Sequence, residues 1–415
     1  MSPTPFAAAA LAAIGGLALV LPLGVVVLLL AGLVAAVVVD ARMTAKPPDV
    51  ERVGATMLAR GVPAALGLTL AAAPPGAIRL RQPVPPDLRV EPSEGRAGLD
   101  ATVVAARRGR HVLPEPAVRI RGPLGLVARH RRAGGERELR VYPDLPAARR
   151  LAAAVRQGRF GDAGRLRRGP LGLGTDFEAV RDYSPDDDIR QVNWRATGRL
   201  GRPMSNQFRM EQDREVVCVI DTGRLMGAPL GERTRVDAAI DAAVAVAMVA
   251  DELGDHCGAV AFDNEIIRRV TARRRGAEAI VEALFDVEPS ARESDYELAF
   301  RTVAGGKRAL VIVFTDLLEE AAARPLLQAM PYLTRRHAVV VATAADSDLT
   351  QILERDPTTS DQVHESAVAA DVLAARARVA AQLRAAGADV LEAPPDRLAA
   401  ACIVSYLRAK QRAKL

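Results

Sequence analysis

Two carboxylates stand where chemistry could take place, each at the end of an apolar run. Asp221 follows Val216-Val217-Cys218-Val219-Ile220, and Asp316 follows Val311-Ile312-Val313-Phe314-Thr315. On adjacent parallel strands, both side chains would meet at one edge of the sheet, where ligands of such sheets bind. Like charges that close raise one another's pKa or require a cation between them. We therefore expect a charged centre at this edge.

The elements that position these carboxylates alternate between strand and helix patterns. From Glu215 onward, short continuous apolar runs are separated by helical stretches. Continuous apolar runs are typical of strands that are covered on both faces, as in parallel sheets. We therefore predict that 215–415 forms an α/β domain with a doubly wound, mostly parallel sheet.

The order of strand, aspartate, helix and strand resembles a von Willebrand factor A domain, in which the first strand ends in a DxSxS pattern. That family holds Mg²⁺ with the aspartate, both serines, a threonine and a later aspartate. Here the segment reads Asp221-Thr222-Gly223-Arg224-Leu225, so glycine and leucine replace both serines. The resemblance implies that Ser294 matches the threonine and Asp316 the second aspartate. Since Mg²⁺ requires nearly six oxygen ligands, the resemblance implies a degenerate metal site.

Three interpretations of this centre are compatible with the sequence. A metal ion binds weakly to Asp221, Ser294 and Asp316. Alternatively, Arg224 replaces the metal by pairing its guanidinium with Asp221 or Asp316. In the third interpretation Asp221 only caps the following turn.

A second segment, 177–199, precedes the first strand of this domain. It resembles the signature of the DUF58 family, approximately F-x-x-x-R-x-Y-x-P-G-D-D-x-R-x-I-x-W-K-A-T-A-R. The matching residues are Phe177, Arg181, Tyr183, Pro185, Asp187, Asp188, Arg190, Trp194, Ala196, Thr197 and Arg199. The segment departs from the pattern at Asp186, where the family usually has glycine.

The signature segment also has a physical interpretation. Its arginines alternate with Asp182, Asp187 and Asp188, which suggests an ion-pair network pinned by Tyr183 and Trp194. Such a network would clamp the α/β domain to its neighbour or form a docking surface for a partner.

The first 39 residues carry no charged side chain and are rich in Ala, Leu, Val and Gly. A continuous helix of that length would exceed a hydrocarbon core of about 30 Å. Because Pro22 and Gly24 interrupt it, we predict a transmembrane hairpin over 1–42, with helices near 5–21 and 24–40. Arg42 and Lys46 follow the second helix, which predicts a cytoplasmic location for the remainder. A cleaved signal peptide is the alternative, but the stretch lacks its basic start.

Between the hairpin and the α/β domain, two further regions are predicted. Residues 51–145 alternate apolar and polar side chains between Pro and Gly, which indicates a small antiparallel β-domain. Residues 146–214 form an Arg-rich connector that includes the signature segment.

Composition excludes several classes of function. Three widely separated cysteines give no disulfide framework, and we interpret them as buried small hydrophobes. The five histidines have no metal-ligand spacing, and no P-loop or nucleophile elbow is present. The net charge of +6 favours an anionic partner. Basic runs at 107–110, 129–132 and 268–275 form a solvated face or contact anionic lipid, whereas no nucleic-acid recognition module accompanies them.

The resemblance implies a role as well. DUF58 proteins are associated with MoxR-type AAA+ ATPases, which are thought to act as chaperones for protein complexes. We therefore expect a bacterial, membrane-anchored adaptor or assembly factor that is not an enzyme. The alternatives are a cell-envelope receptor that binds a protein or peptide without an ATPase, and a basic lipid-surface protein.

Overall fold

The computed structural model describes residues 2–72, 74–158, 176–184, 189, 192–209, 214–231, 233–316 and 320–411. The chain divides into two compact units, Met1–Tyr142 and Pro143–Leu415. Helix α3 (Leu145–Arg156) lies in the predicted connector. It belongs to the second unit and packs on another helix of that unit.

The first unit begins with two apolar helices, α1 (Pro5–Leu17) and α2 (Leu23–Met43). Pro22 is the residue that precedes α2, as the predicted break requires. Of the described helices, α2 is the one long and apolar enough to cross a membrane. Its 21 residues rise about 31 Å, whereas the 13 residues of α1 rise about 20 Å. Two spanning helices therefore remain a prediction.

The rest of the first unit is built of short strands in three sheets. Their bounds are β1 (Ser2–Pro3), β2 (Asp49–Gly54), β3 (Met57–Ala59), β4 (Ala64–Ala72), β5 (Ala77–Arg81), β6 (Leu88–Glu91), β7 (Glu94–Arg96), β8 (Leu99–Ala105), β9 (Gly109–Leu113), β10 (Ala117–Arg121), β11 (Val127–Arg132) and β12 (Arg137–Tyr142). The sheet orders are β1-β11-β10-β5-β7, β2-β4-β8-β6 and β3-β12-β9. The strand pairings described in this unit are antiparallel except that of β3 with β12.

The period-two alternation explains these sheets. In β5 and β10 the inward residues Ile78, Leu80, Val118 and Ile120 are buried in one apolar cluster. The residues between them are exposed or half-buried, so each strand has one apolar and one polar face.

The second unit contains a six-stranded sheet in the order β19-β18-β15-β20-β21-β22. These strands are β15 (Glu215–Asp221), β18 (His256–Phe262), β19 (Ile266–Arg274), β20 (Ala309–Phe314), β21 (Ala338–Ala344) and β22 (Asp389–Ala393). All neighbours are parallel except the edge strand β19, which runs antiparallel to β18. Strand β19 is not evident in the sequence, because arginines interrupt its apolar positions and give it the appearance of a basic run.

The helices of this unit form two packed groups. They are α5 (Arg235–Glu252), α6 (Ala277–Leu284), α7 (Tyr296–Ala304), α8 (Glu320–Thr334), α9 (Ser347–Glu354), α10 (Ser360–Ala385) and α11 (Leu398–Gln411). Helices α5, α6 and α11 pack together with α3, and α7 to α10 form the second group. Strands β15 and β20 are buried along nearly their whole length, as their continuous apolar runs predict. The cysteines Cys218, Cys257 and Cys402 are free and buried, which confirms their interpretation as small hydrophobes.

The described part of the second unit also contains several smaller elements. Strands β13 (Asp176–Asp182) and β14 (Met204–Arg209) form a hairpin around helix α4 (Trp194–Leu200). A short 3-10 helix (Arg224–Gly227) and the paired strands β16 (Pro229–Leu230) and β17 (Arg233–Thr234) connect β15 to α5.

Candidate functional site

Asp221 lies at the carboxyl end of β15 and is 2% exposed. Its Oδ1 accepts hydrogen bonds from the Ser294 hydroxyl at 2.5 Å and the Gly223 N–H at 2.8 Å. Its Oδ2 accepts from the hydroxyls of Tyr296 and Thr315, both at 2.7 Å. Four protein donors therefore surround the carboxylate, which satisfies its hydrogen-bonding capacity without another ligand.

Sequence reasoning missed two of these donors, Thr315 and Tyr296. Tyr296 is the first residue of α7, and its ring meets Phe262 edge-on at a centroid distance of 5.5 Å. Burial, followed by the negative charge of Asp221, raises the pKa of the phenol well above its usual value. The phenol therefore stays protonated and donates to Asp221 at any physiological pH. No feature of the sequence distinguishes this tyrosine from a core aromatic residue.

Gly223 explains why the first serine of the DxSxS pattern is absent. A Cβ at position 223 would lie 2.1 Å from Ser294 Oγ and 3.0 Å from the Arg292 carbonyl oxygen. Any side chain there would displace the hydroxyl that bonds to Asp221. Ser294 thus occupies the space that a side chain at position 223 would need.

Asp316 follows β20 and is neutralised by two buried arginines. The Nε of Arg235 lies 3.2 Å from its Oδ2, and an Nη of Arg376 lies 4.0 Å from its Oδ1. Arg235 also donates to the Ala344 carbonyl at 2.8 Å and lies 3.6 Å from Asp346. Burial lowers the pKa of Arg235 from its usual value, while the charge of Asp316 opposes that effect. The result is a buried network of charge-assisted contacts.

The prediction for Arg224 is wrong. Its guanidinium pairs with Glu293, with N–O distances of 2.9 and 2.8 Å, and both side chains are exposed. The 3-10 helix turns it away from Asp221, and Arg235 supplies the guanidinium to Asp316 instead. A sequence signal for Arg235 did exist. A cation at the start of a helix opposes the helix dipole, so an arginine directly after the Thr234 cap requires an acidic partner.

The residues at this edge do not fit a Mg²⁺ ion. Both oxygens of Asp221 already accept from protein donors, and Asp316 pairs with Arg235. Within the described part of the chain, no group of three or more His, Cys, Asp or Glu side chains could hold a metal. The Gly223 N–H bond supports the turn-capping interpretation of Asp221, whereas the guanidinium that pairs with Asp316 belongs to Arg235 and not to the predicted Arg224.

Three loops meet above Asp221 and form what we call the rim: residues 222–226 after β15, 263–265 after β18, and 290–295 between α6 and α7. The Arg224 N–H donates to the Arg292 carbonyl at 2.8 Å, and the Ser290 N–H donates to the Thr222 carbonyl at 2.7 Å. The Asp295 N–H donates to the Asp263 carbonyl at 2.8 Å. Asp221 and Asp316 with their protein partners, which we call the closed centre, thus support the rim. The outer surface of the rim carries exposed charged side chains.

The signature segment is described in part, since Pro185, Asp187, Asp188 and Arg190 lie outside the described residues. Phe177 pairs through its backbone with Phe208, and Arg181 with Ser205. The N–H of Tyr183 donates to the Pro203 carbonyl at 3.0 Å, and the Arg199 side chain is exposed.

Local contacts fix the helix of this segment. Asn193 caps α4 and donates to Asn206 at 2.7 Å, while the Thr197 hydroxyl accepts the Met204 N–H at 3.0 Å. Trp194 is 71% exposed, so it does not pin the segment as predicted.

Asp182 departs from the predicted ion-pair network. It pairs with Arg202 at 3.3 Å, and Arg202 was outside the predicted set.

Comparison with known proteins agrees with these features. The family described as "Protein of unknown function DUF58" matches residues 179–405, more than half of the chain. Uncharacterized proteins of Mycobacterium bovis and Mycobacterium tuberculosis are 26% identical over 265 residues, which cover 59% of this chain and 82% of each relative. The matched region includes the signature helix, the rim and both neutralised aspartates, and the chain belongs to the DUF58 family.

Proposed function

We propose that this chain is a membrane-anchored adaptor or assembly factor, not an enzyme, which works with a MoxR-type AAA+ ATPase in the maturation of protein complexes. The observation that carries the proposal is the closed centre. Asp221 accepts four hydrogen bonds from the protein, and Asp316 pairs with the guanidinium of Arg235. A centre occupied in this way offers no open position for a catalytic metal, but it holds the rim loops rigidly for recognition.

The proposal treats the second unit as a von Willebrand factor A-like binding module with a degenerate metal site. Support comes from the parallel sheet with one antiparallel edge strand and from carboxylates at the ends of β15 and β20. The fold by itself does not fix the partner, so the ATPase remains an inference from the family.

Two exposed surfaces suit protein recognition. The rim carries the exposed Arg224–Glu293 pair and Arg292, whose Nη lies 3.3 Å from Glu265. The signature helix exposes Trp194 and Leu200, at 71% and 55%. Tryptophan and arginine are over-represented among the residues that dominate binding energy at protein interfaces.

The anchor in this proposal is the apolar segment that ends at α2. The length and composition of α2 support a membrane span. Arg42, in its last turn, and Lys46 support a cytoplasmic location for the remainder of the chain.

A specific observation also favours the alternative, a cell-envelope receptor for a protein or peptide. A cavity of about 870 Å³ lies beside the edge strand β22 and is lined by Leu391, Val404, Arg397 and Arg408, among others. An open edge strand next to such a groove can accept an added strand from a peptide.

Co-purification distinguishes these functions. The tagged full-length chain is extracted from its own membranes with a non-hydrolysable ATP analogue, as wild type, Arg224→Glu and Arg156→Glu. Arg156 pairs with Glu252 at the far end of α5 and is 62% exposed, close to the 58% of Arg224, so it serves as the matched control.

We expect an AAA+ ATPase with wild type and Arg156→Glu and much less with Arg224→Glu. A folded, abundant bait that recovers no ATPase in any sample would refute the adaptor, and envelope proteins or peptides recovered in its place would support the receptor.

A further inference from the structure

The outer face of the sheet β1-β11-β10-β5-β7 is strongly basic. Its inward residues form an apolar cluster, and its outward residues include an unusual number of arginines. The outward basic residues are Arg79, Arg81, Arg96, Arg119, Arg121, His130 and Arg132. We call this set the basic face. Glu94 shares the face and lies 3.6 Å from Arg81.

The strand register concentrates these charges in one row. Arg96 lies opposite Arg79, Arg79 opposite Arg119, and Arg119 opposite His130. Directly opposed side chains in antiparallel strands have Cβ atoms about 5 Å apart, and like charges at that distance destabilise the sheet. Among the described residues, Arg79, Arg96 and Arg119 have no ion-pair partner. Because these positive charges are close together and lack ion-pair partners among the described side chains, the row favours the binding of an anion.

The apolar helices are fixed to the same sheet. Asp40, in the last turn of α2, is fully buried and accepts the N–H groups of Leu124, Leu126 and Val127, each at 2.9 Å. A Cβ at Gly122 would lie 2.2 Å from the Asp40 carboxylate, so this close approach requires glycine.

Further contacts join both helices to the start of β11. Arg129 donates to the Ala41 carbonyl at 3.0 Å, and the Thr4 N–H, just before α1, donates to the Leu126 carbonyl at 3.0 Å. The contacts of Asp40, Arg129 and Thr4, which we call the Asp40 joint, therefore hold the helices rigidly against the sheet. Both helices leave the sheet from one end.

The basic row lies a short distance from that end. The guanidinium of Arg121 lies 4.9 Å from the centroid of the Phe6 ring, at the start of α1. Arg119 is two residues further along β10, which corresponds to about 7 Å. The headgroup layer on each side of a bilayer is of similar thickness, about 5 to 7 Å. The distance of the row from the start of α1 is therefore comparable to the thickness of the headgroup layer.

We propose that the basic face binds the phosphate groups of anionic phospholipids at the membrane surface. Arg79, Arg96 and Arg119 face the headgroups, while the Asp40 joint fixes the orientation of the sheet. Each arginine near an anionic surface strengthens binding about fivefold, and the row of four residues spans about 14 Å across the strands. The inference rests on the membrane anchor of the proposed function.

The test measures lipid binding to the full-length chain in a neutral detergent. Short-chain phosphatidylglycerol, phosphatidylcholine, inorganic phosphate and a single-stranded oligonucleotide are titrated separately, with thermophoresis as the readout. The variants are wild type, Arg79→Gln/Arg119→Gln, and the control Arg149→Gln/Arg150→Gln, which removes the same charge from exposed positions of α3.

We expect phosphatidylglycerol to bind more tightly than phosphatidylcholine and inorganic phosphate. The loss of two arginines weakens that binding about 30-fold, and the control leaves it unchanged. The Arg79→Gln/Arg119→Gln variant should also melt no lower than wild type, because it relieves like-charge repulsion.

Any of four results overturns the proposal. These are equal affinity for both lipids, an Arg79→Gln/Arg119→Gln variant that binds phosphatidylglycerol as tightly as wild type, inorganic phosphate that binds as tightly as the lipid, and selective binding of the oligonucleotide. Carbonate extraction of native membranes separates this failure from that of the anchor. A chain that resists extraction but does not select anionic lipid refutes only this inference, whereas a chain released by carbonate refutes the anchor and the proposed function with it.

Discussion

Replacing Arg235 with methionine should strongly destabilise the second unit. The Arg235 and Asp316 side chains are 4% and 1% exposed, and their charged atoms lie 3.2 Å apart. The substitution leaves a buried carboxylate without its main partner, which costs about 3–5 kcal/mol. For a unit of this size, about 2–4 °C per kcal/mol gives a melting temperature about 6–20 °C lower. The double variant Arg235→Met/Asp316→Asn should recover a large part of that loss, since it also removes the buried carboxylate, and Arg376 keeps Glu392 as a partner at 3.9 Å.

The assay is thermal unfolding of the full-length chain in detergent, followed by circular dichroism. Arg224→Met is the matched control, because its pair with Glu293 is 58% and 74% exposed and an exposed pair contributes about 1 kcal/mol at most. Comparable melting of Arg235→Met and wild type would refute the reasoning, as would an equal loss in the control.

Magnesium gives an independent check on the same centre. A site with a Kd of about 0.1 mM would stabilise the folded chain by about 2.7 kcal/mol in 10 mM Mg²⁺. Because Asp221 and Asp316 are occupied by protein groups, we expect no change in melting temperature. A clear rise would show that a metal displaces them.

Three further substitutions or conditions probe the second unit. Tyr296→Phe removes one donor to Asp221 and should lower the free energy of unfolding by about 1–3 kcal/mol, measured by urea denaturation; an unchanged midpoint would contradict the four-donor geometry. Lys410→Met breaks an ion pair with Asp255 whose side chains are 2% and 0% exposed, so we expect the free energy of unfolding to fall by about 3–5 kcal/mol. Amide hydrogen exchange in α11 should become faster, and an exchange rate equal to that of wild type would contradict this prediction. Burial lowers the pKa of His337, so the unfolded chain binds its proton first as pH falls through about 6.5. Stability should therefore decrease below that pH, by about 1.4 kcal/mol per pH unit at most, and a urea midpoint in His337→Asn that falls as steeply as in wild type would refute this origin.

The strands of the sheet and the positions of its two aspartates follow from local pattern. Runs such as 216–220 and 311–315 can be buried on both faces only as central strands, so Asp221 and Asp316 must end at the same edge. Their partners do not follow, because Tyr296 and Arg235 begin helices that return to this edge from elsewhere in the chain. Nearness in sequence favoured Arg224, yet the direction of its side chain depends on the 3-10 turn.

The ends and contacts of the N-terminal helices are a second feature that the sequence does not determine. The break at Pro22 is visible in the sequence, but α1 ends at Leu17, short of the predicted 21. Helix ends depend on local turns that composition does not specify. The sequence gives no indication that Asp40 is buried, because the backbone N–H groups from which it accepts hydrogen bonds belong to residues 124–127, more than 80 positions away.

The most direct test of the account is photo-crosslinking from the rim in native membranes. A photoreactive amino acid replaces Glu293, which is 74% exposed, in the full-length chain, and the matched control replaces Glu252 at the far end of α5. If the rim binds the ATPase, position 293 crosslinks to an AAA+ ATPase and position 252 does not. An ATPase crosslink at position 252 alone, or at neither position in a folded chain, would contradict the account.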